Sequence, residues 1–466
     1  MKHYITLFVC VLFALLAKSQ TIRQFTISNS LDGQSKLIAF LPEHPTGRAI
    51  IDCPGGAYAY ECMDYEGTDW ATFFNSQGIA YFVLNYRLPS GNPDLPVSDA
   101  YQALKTVRDS ATVWNINPND VGIMGFSAGG HLASSVCTHA PINIRPNFSI
   151  LFYPVITMIK GQGHDYSATN FLGNKRNDEE SIKLWSNDQQ VKKNLTPPTA
   201  IFLANDDGAV PPLTNGMAYY ASMRRNGNDC SLYIFPSGGH GFGFQSNYQY
   251  HDVMLQLLSQ WLQHLKAPKA TAKRVACIGN SITEGAGIDL CQQNAYPAHL
   301  QKVLGDDYNV VNFGLSGHTL LNHGDCPYMK REVWHEALEF NPDIAIIKLG
   351  TNDSKPYNWK YGKEFPANLQ EMIDSLKKCP SHPKIYLSTP IKAISHNYDI
   401  NDSVIVNGII PIIYKVAKKN KLPVIDLHEL FPASEKDMLQ SDGIHPTSNG
   451  SNRMAQIIGK AIIDSH

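Results

Sequence analysis

The chain has no excess of charge of either sign. Its 39 lysines and arginines face 41 aspartates and glutamates over 466 residues, a formal net charge of −2. Nothing in this balance asks for nucleic acid or an anionic membrane surface as a partner. Metal spacing is missing too. The nine cysteines form no Cys-x-x-Cys and no Cys/His cluster, and the sequence calls for no metal and no other cofactor. Eight of them (Cys53, Cys62, Cys137, Cys230, Cys277, Cys291, Cys326 and Cys379) are scattered too widely for a disulfide framework. Cys137 and Cys277 sit in apolar patterns as small hydrophobes. Cys291 with Cys326 is the one pair left open for a bridge.

Long apolar runs are equally scarce. The sequence pattern shows one, at the start: Met1-Lys2-His3, then "YITLFVCVLFALLA", then Ala17-Lys18-Ser19. A charged start, a short apolar core and small residues before Gln20 read as a cleavable export signal, residues 1–19. It is too short to span a bilayer, and no later segment reads as about 20 apolar residues. Cys10 lies inside the run and belongs to it. The expectation is an exported protein, periplasmic or secreted, with no membrane insertion after the signal is removed.

Beyond that start, strand-like runs alternate with helix-period segments. "RAIIDC", "AYFVLNYR", "VGIMGFS", "SILFYPV", "AIFLAND" and "SLYIFP" are strands, with helices such as "VSDAYQALKTVRDSA" and "PLTNGMAYYASMRRNG" between them. This alternation predicts a mostly parallel sheet with helices on both faces. After the helix "HDVMLQLLSQWLQHL" comes "KAPKATAK", read as a linker over 267–272 that few contacts cross. The alternation then restarts with "RVACIG", "YNVVNFG", "DIAIIKLG", "KIYLSTP" and "LPVIDL". Two α/β domains are expected, over 21–266 and 273–466.

The first domain carries "GFSAG" between a strand and a helix, the setting of a nucleophile elbow at Ser127. "CPGGAY" after an earlier strand offers the N–H groups of Gly56 and Ala57, alongside that of Ala128, as oxyanion donors. Asp207 in "NDDGAVPP" and His240 in "SGGHGFG" follow later strands. The order Ser, Asp, His suits a relay in which His240 takes the Ser127 proton and Asp207 orients the imidazole. Asp206 competes, and the pattern D-x-x-V-P favours Asp207. These residues resemble the esterase branch of the α/β-hydrolase family, in particular acetylxylan and feruloyl esterase-like proteins with a "PGG-x-Y" loop, over roughly 30–266.

The second domain carries four blocks: "GNSITEG" with Ser281, "NFGLSG" with Gly314, "LGTND" with Asn352, and "SDGIHPT" with Asp442 and His445. Strand ends bring the first three to the carboxyl edge of the sheet, where open α/β folds bind ligands. Gly314 N–H and the Asn352 amide are candidate oxyanion donors beside Ser281 N–H. One short loop delivers both Asp442 and His445. These blocks resemble the SGNH, or GDSL-type, hydrolases over about 273–466, nearest to bacterial carbohydrate O-acetylesterases, including sialate O-acetylesterases. Asn280 stands where the family name has Asp.

Together the resemblances imply an α/β-hydrolase fold followed by a flavodoxin-like SGNH fold. They imply a bifunctional esterase removing O-acetyl groups, with feruloyl as a second ester class, from a polysaccharide or oligosaccharide such as xylan. Sialate deacetylation by the second domain is the alternative reading, as is one domain serving only to bind glycan. Tyr58 and Trp359 are the aromatic candidates for sugar contact, with Tyr60 and Tyr357 beside them.

Overall fold

The computed structural model describes residues 23–464. The export-signal reading of residues 1–19 lies outside the described residues.

Eight strands form the first sheet: β1 (Arg23–Ser28), β2 (Lys36–Leu41), β3 (Ala49–Cys53), β4 (Ala80–Asn85), β5 (Val121–Phe126), β6 (Ser149–Phe152), β7 (Thr199–Ala204) and β8 (Cys230–Phe235). Their order is β1-β2-β4-β3-β5-β6-β7-β8. β2 pairs antiparallel with β1 and β4, and β4 through β8 pair in parallel. The sequence pattern missed β1 and β2. β1 is largely exposed, so it lacks the apolar run that marks the inner strands.

β5 is buried along its whole length, as a central parallel strand covered on both faces must be. Its residues alternate between two cores: Val121 and Ile123 enter one cluster, Met124 and Phe126 the other. Register places Phe126, Phe152, Phe202 and Tyr233 side by side across β5, β6, β7 and β8. Their rings stack with centroids 4.8 Å apart at each step. Each such pair adds about 0.5–1.5 kcal/mol beyond burial. This ladder fixes the residue immediately before Ser127.

After the helix His251–His264 the chain enters a second sheet of β9 (Lys273–Gly279), β10 (Tyr308–Gly314), β11 (Ile344–Lys348), β12 (Lys384–Ser388) and β13 (Val424–Ile425). All pair in parallel, in the order β10-β9-β11-β12-β13. The second-first-third-fourth-fifth order is that of a flavodoxin-like sheet, and its switch point lies between β9 and β11.

Two sequence expectations are corrected here, and the open cysteine pair is resolved. One helical run, Asn397–Asn420, is apolar and long enough by composition to cross a membrane. Its Ile405, Ile409, Ile413 and Val416 are buried in the core of the second domain. Cys291 and Cys326 are not bridged; both are free thiols. Contacts between the domains are not few. The guanidinium of Arg145 meets the carboxylate of Glu336 at 2.7 Å with both side chains buried. Lys192 reaches Glu332 and Glu336 at 2.8 and 3.0 Å. The side chain of Gln292 accepts from Asp229 N–H and donates to Thr196 O. The polar loop over 190–196 docks into the neighbouring domain.

Candidate active sites

Ser127 follows β5 and opens the helix Ser127–His139. Its φ is +50°, the strained left-handed turn of an elbow. Both flanking glycines are required by space. A Cβ on Gly125 would lie 2.3 Å from Gly129 O, and one on Gly129 would lie 1.9 Å from Cys53 O. The elbow therefore seats directly on the end of β3. His240 Nε2 stands 2.8 Å from Ser127 Oγ, and its Nδ1 stands 2.7 Å from Asp207 Oδ2. The other Asp207 oxygen accepts the N–H groups of Ala209 and Val210, which fixes the carboxylate. Asp206 instead accepts Gly239 N–H at 2.7 Å and anchors the loop that carries His240.

The "PGGAY" loop lies against the elbow: a Cβ on Gly55 would come 3.0 Å from Ser127 Cβ. Gly56, Ala57 and Tyr58 all have positive φ, at +128°, +57° and +58°. At Gly56 the tight turn excludes a side chain, since a Cβ would lie 2.2 Å from Tyr60 O. Asn170 Nδ2 donates to Ala57 O at 2.9 Å and holds the strained turn. Ala128 N–H belongs to the first helical turn, whose N–H groups have no intrahelical acceptor.

Ser281 follows β9 and opens the short turn Ser281–Glu284. Asn280 caps that turn, its side-chain oxygen accepting Ile282 N–H at 3.2 Å. An amide oxygen serves here as a carboxylate would, so the departure from Asp leaves the cap intact. His445 Nε2 stands 2.8 Å from Ser281 Oγ and its Nδ1 stands 2.7 Å from Asp442 Oδ2. Asp442 titrates below the usual carboxylate range. Partial burial alone would raise it, but the N–H groups of His445 and Ile444 and the imidazole outweigh that. Asn352 is buried at the end of the loop after β11, and one amide hydrogen goes to His318 O at 3.1 Å.

Two family models divide the chain between them. One, described as alpha/beta hydrolase fold, matches residues 51–244. The other, the GDSL-like Lipase/Acylhydrolase family, matches residues 277–453. An acetylxylan esterase from Xylanibacter ruminicola is 51% identical over 470 residues, covering 97% of this chain and 98% of that protein. The chain belongs to that protein's family. It is a two-domain carbohydrate esterase, a carboxylic ester hydrolase. An endo-1,4-beta-xylanase B from Butyrivibrio fibrisolvens is 34% identical over 221 residues, 44% of the esterase and 34% of the xylanase. A solved acetyl ester-xyloside bifunctional hydrolase from Caldicellulosiruptor lactoaceticus is 33% identical, covers 49% of the esterase and 87% of its own chain, and has a TM-score of 0.46.

Three residues of the esterase are not placed as the sequence suggested. Tyr58 does not face a substrate: it is 2% exposed, its hydroxyl meets His131 Nδ1 at 2.8 Å, and its ring packs on Phe171. Trp359 packs against Phe365 and fills the space that side chains at Gly362 and Gly408 would occupy. The exposed aromatics are their neighbours, Tyr60 and Tyr357. Gly314 N–H donates to Asn312 Oδ1 at 2.9 Å, so it is already engaged. A Cβ at Gly314 would lie 2.1 Å from Glu284 N. This glycine is needed for close approach of two loops.

Several functional neighbours escaped sequence reading. Glu66 accepts Gly55 N–H at 3.0 Å and the Tyr153 hydroxyl at 2.7 Å, and Tyr153 lies edge-on to the His240 ring at 4.8 Å. Burial raises the Glu66 pKa, opposed by Tyr153, His240 and Gly55 N–H. In the second site Asp353 accepts the N–H groups of Leu320 and Leu321, and burial lifts its pKa to about 6. Tyr398 is 60% exposed, held at φ +57°, with its ring 5.7 Å from that of His445. No spacing rule marks these residues, because their partners come from distant loops.

Proposed function

We propose that the esterase is exported and removes O-acetyl groups from acetylated xylan at two sites, each with its own nucleophile. Two complete Ser–His–Asp arrangements with matching 2.8 Å and 2.7 Å links carry this reading. The xylan assignment is supported by the acetylxylan esterase that matches the chain end to end. Export rests on the N-terminal sequence pattern.

At either site the serine hydroxyl attacks the acetyl carbonyl while the histidine takes its proton. The paired aspartate holds the imidazole tautomer and stabilises the imidazolium. Collapse of the tetrahedral intermediate breaks the bond to the sugar oxygen, and the histidine gives that departing oxygen its proton, so that it leaves as a hydroxyl. Water then releases acetate by the same steps in reverse roles. In the first site the oxyanion lies towards the N–H groups of Gly56, Ala57 and Ala128. In the second it lies towards Ser281 N–H and the remaining Asn352 amide hydrogen. Gly314 would join only if its N–H left Asn312. Tyr60 and Tyr398, exposed beside the two sites, take over the sugar-contact role first assigned to Tyr58 and Trp359.

A serine-directed phosphonate tests the pair of nucleophiles. Intact-mass analysis is expected to show two additions on the wild type and one on Ser127→Ala or Ser281→Ala. A single addition on the wild type would remove one of the sites. N-terminal sequencing of the processed protein is expected to begin at Gln20.

A further inference from the structure

The second site is braced from outside its own domain. Glu284 ends the turn that Ser281 opens, and the would-be Cβ of Gly314 points at its backbone nitrogen. Its carboxylate accepts both the backbone N–H and the hydroxyl of Ser316, two residues beyond Gly314. Glu284 therefore joins the nucleophile turn to the "NFGLSG" loop. Two residues of the first domain grip it. Lys193 Nζ lies 3.1 Å from Glu284 Oε2, and Asn194 Nδ2 donates to Glu284 O at 2.9 Å. Asn194 is itself fixed, with φ +62°, its N–H on Asn228 Oδ1 at 2.7 Å and its side-chain oxygen accepting the Cys291 thiol.

We infer that Lys193 and Asn194 of the α/β-hydrolase domain are positioning residues for the Ser281 site, acting through Glu284 and Ser316. The inference rests on the reading of Ser281 as a nucleophile. Glu284 is buried, and a buried carboxylate keeps its place only while donors and a cation satisfy it. Removing the Lys193 charge leaves Ser316 as the sole side-chain donor to that carboxylate among the described residues. The loop beside the oxyanion donors then loses its fixed register. Displacements of this kind act on turnover rather than on ground-state binding, because they move groups that matter most in the transition state. The second domain thus borrows part of its precision from the first.

The test uses the full chain in a Ser127→Ala background, so that acetate release reports the Ser281 site alone. Adding Ser281→Ala must abolish release; residual release would overturn the reading of Ser281, not this inference. Lys193→Met is expected to lower kcat about tenfold with KM within about twofold of the parent. Lys193→Arg is expected to restore most of the loss. Lys193→Gln, which keeps a polar side chain, serves as a second variant, and all are compared at matched folded fraction. Ser316→Ala combined with Lys193→Met should be no worse than the poorer single variant, since both act through one carboxylate. Unchanged kcat in the Met and Gln variants, or full additivity with Ser316→Ala, would overturn the inference.

Discussion

The hydroxyl of Tyr153 donates to the carboxylate of Glu66 at 2.7 Å, directly beside the His240 ring. Through Gly55 N–H and Gly243 N–H, this pair ties the oxyanion loop to the loop carrying His240. Glu66→Ala leaves the buried Gly55 N–H and the Tyr153 hydroxyl without their acceptor, at about 1–3 kcal/mol. The expected outcome is a lower melting temperature together with reduced turnover at the Ser127 site, measured in a Ser281→Ala background. Unchanged turnover in the folded variant would assign Glu66 to stability alone.

The Arg145–Glu336 pair bridges the domains with both side chains buried. Removing one partner of such a pair costs about 3–5 kcal/mol, whereas replacing both by apolar residues can be neutral. Arg145→Met should therefore destabilise strongly, and Arg145→Met with Glu336→Leu should recover much of the loss in denaturant titrations. Proteolytic cleavage within 267–272 is expected to leave the two pieces co-eluting on size exclusion. Separate elution would restore the simple tethered arrangement that the linker composition suggested.

Lys348 ends β11 with its ammonium buried and without a hydrogen-bond partner among the described residues. Burial lowers its pKa from 10.5 to about 7. Between those values the unfolded chain holds a proton that the folded chain has released, so stability rises with pH across this window. Below about 7 both states are charged and the penalty is complete. Lys348→Met should thus stabilise at pH 7 by the order of 3–5 kcal/mol, with the gain fading towards pH 10.5. Melting temperatures of both proteins across pH 6 to 10 check the sign.

Asn352 supplies a side-chain amide to the second site. A donor aimed at the oxyanion is worth about 10²–10³ in turnover. Asn352→Ala is expected to lower kcat at the Ser281 site by that order with KM little changed, and to leave the Ser127 site untouched. A fall in melting temperature with kcat near the parent value would make Asn352 a loop brace through His318 O.

Both serine–histidine–aspartate sets were legible because sheet topology carries strand ends to one edge, and chain order alone then groups them. Rings were not legible. Tyr58 and Tyr60 are two residues apart, yet a left-handed turn buries the first on His131 and exposes the second. Gly314 was read as a donor from its position, while its N–H is taken by Asn312, a contact that depends on a side-chain rotamer. Lys192, Lys193 and Asn194 resemble a solvated polar loop, and only tertiary packing turns them into an interface. The edge strand β1 carries too little apolar surface to announce itself.

Acetate release from acetylated xylan by Ser127→Ala, Ser281→Ala and the double variant tests the two-site account most directly. Each single variant is expected to keep measurable release, and the double variant none. Loss of all release in either single variant, on every acetyl ester tried and with the fold intact, would contradict it.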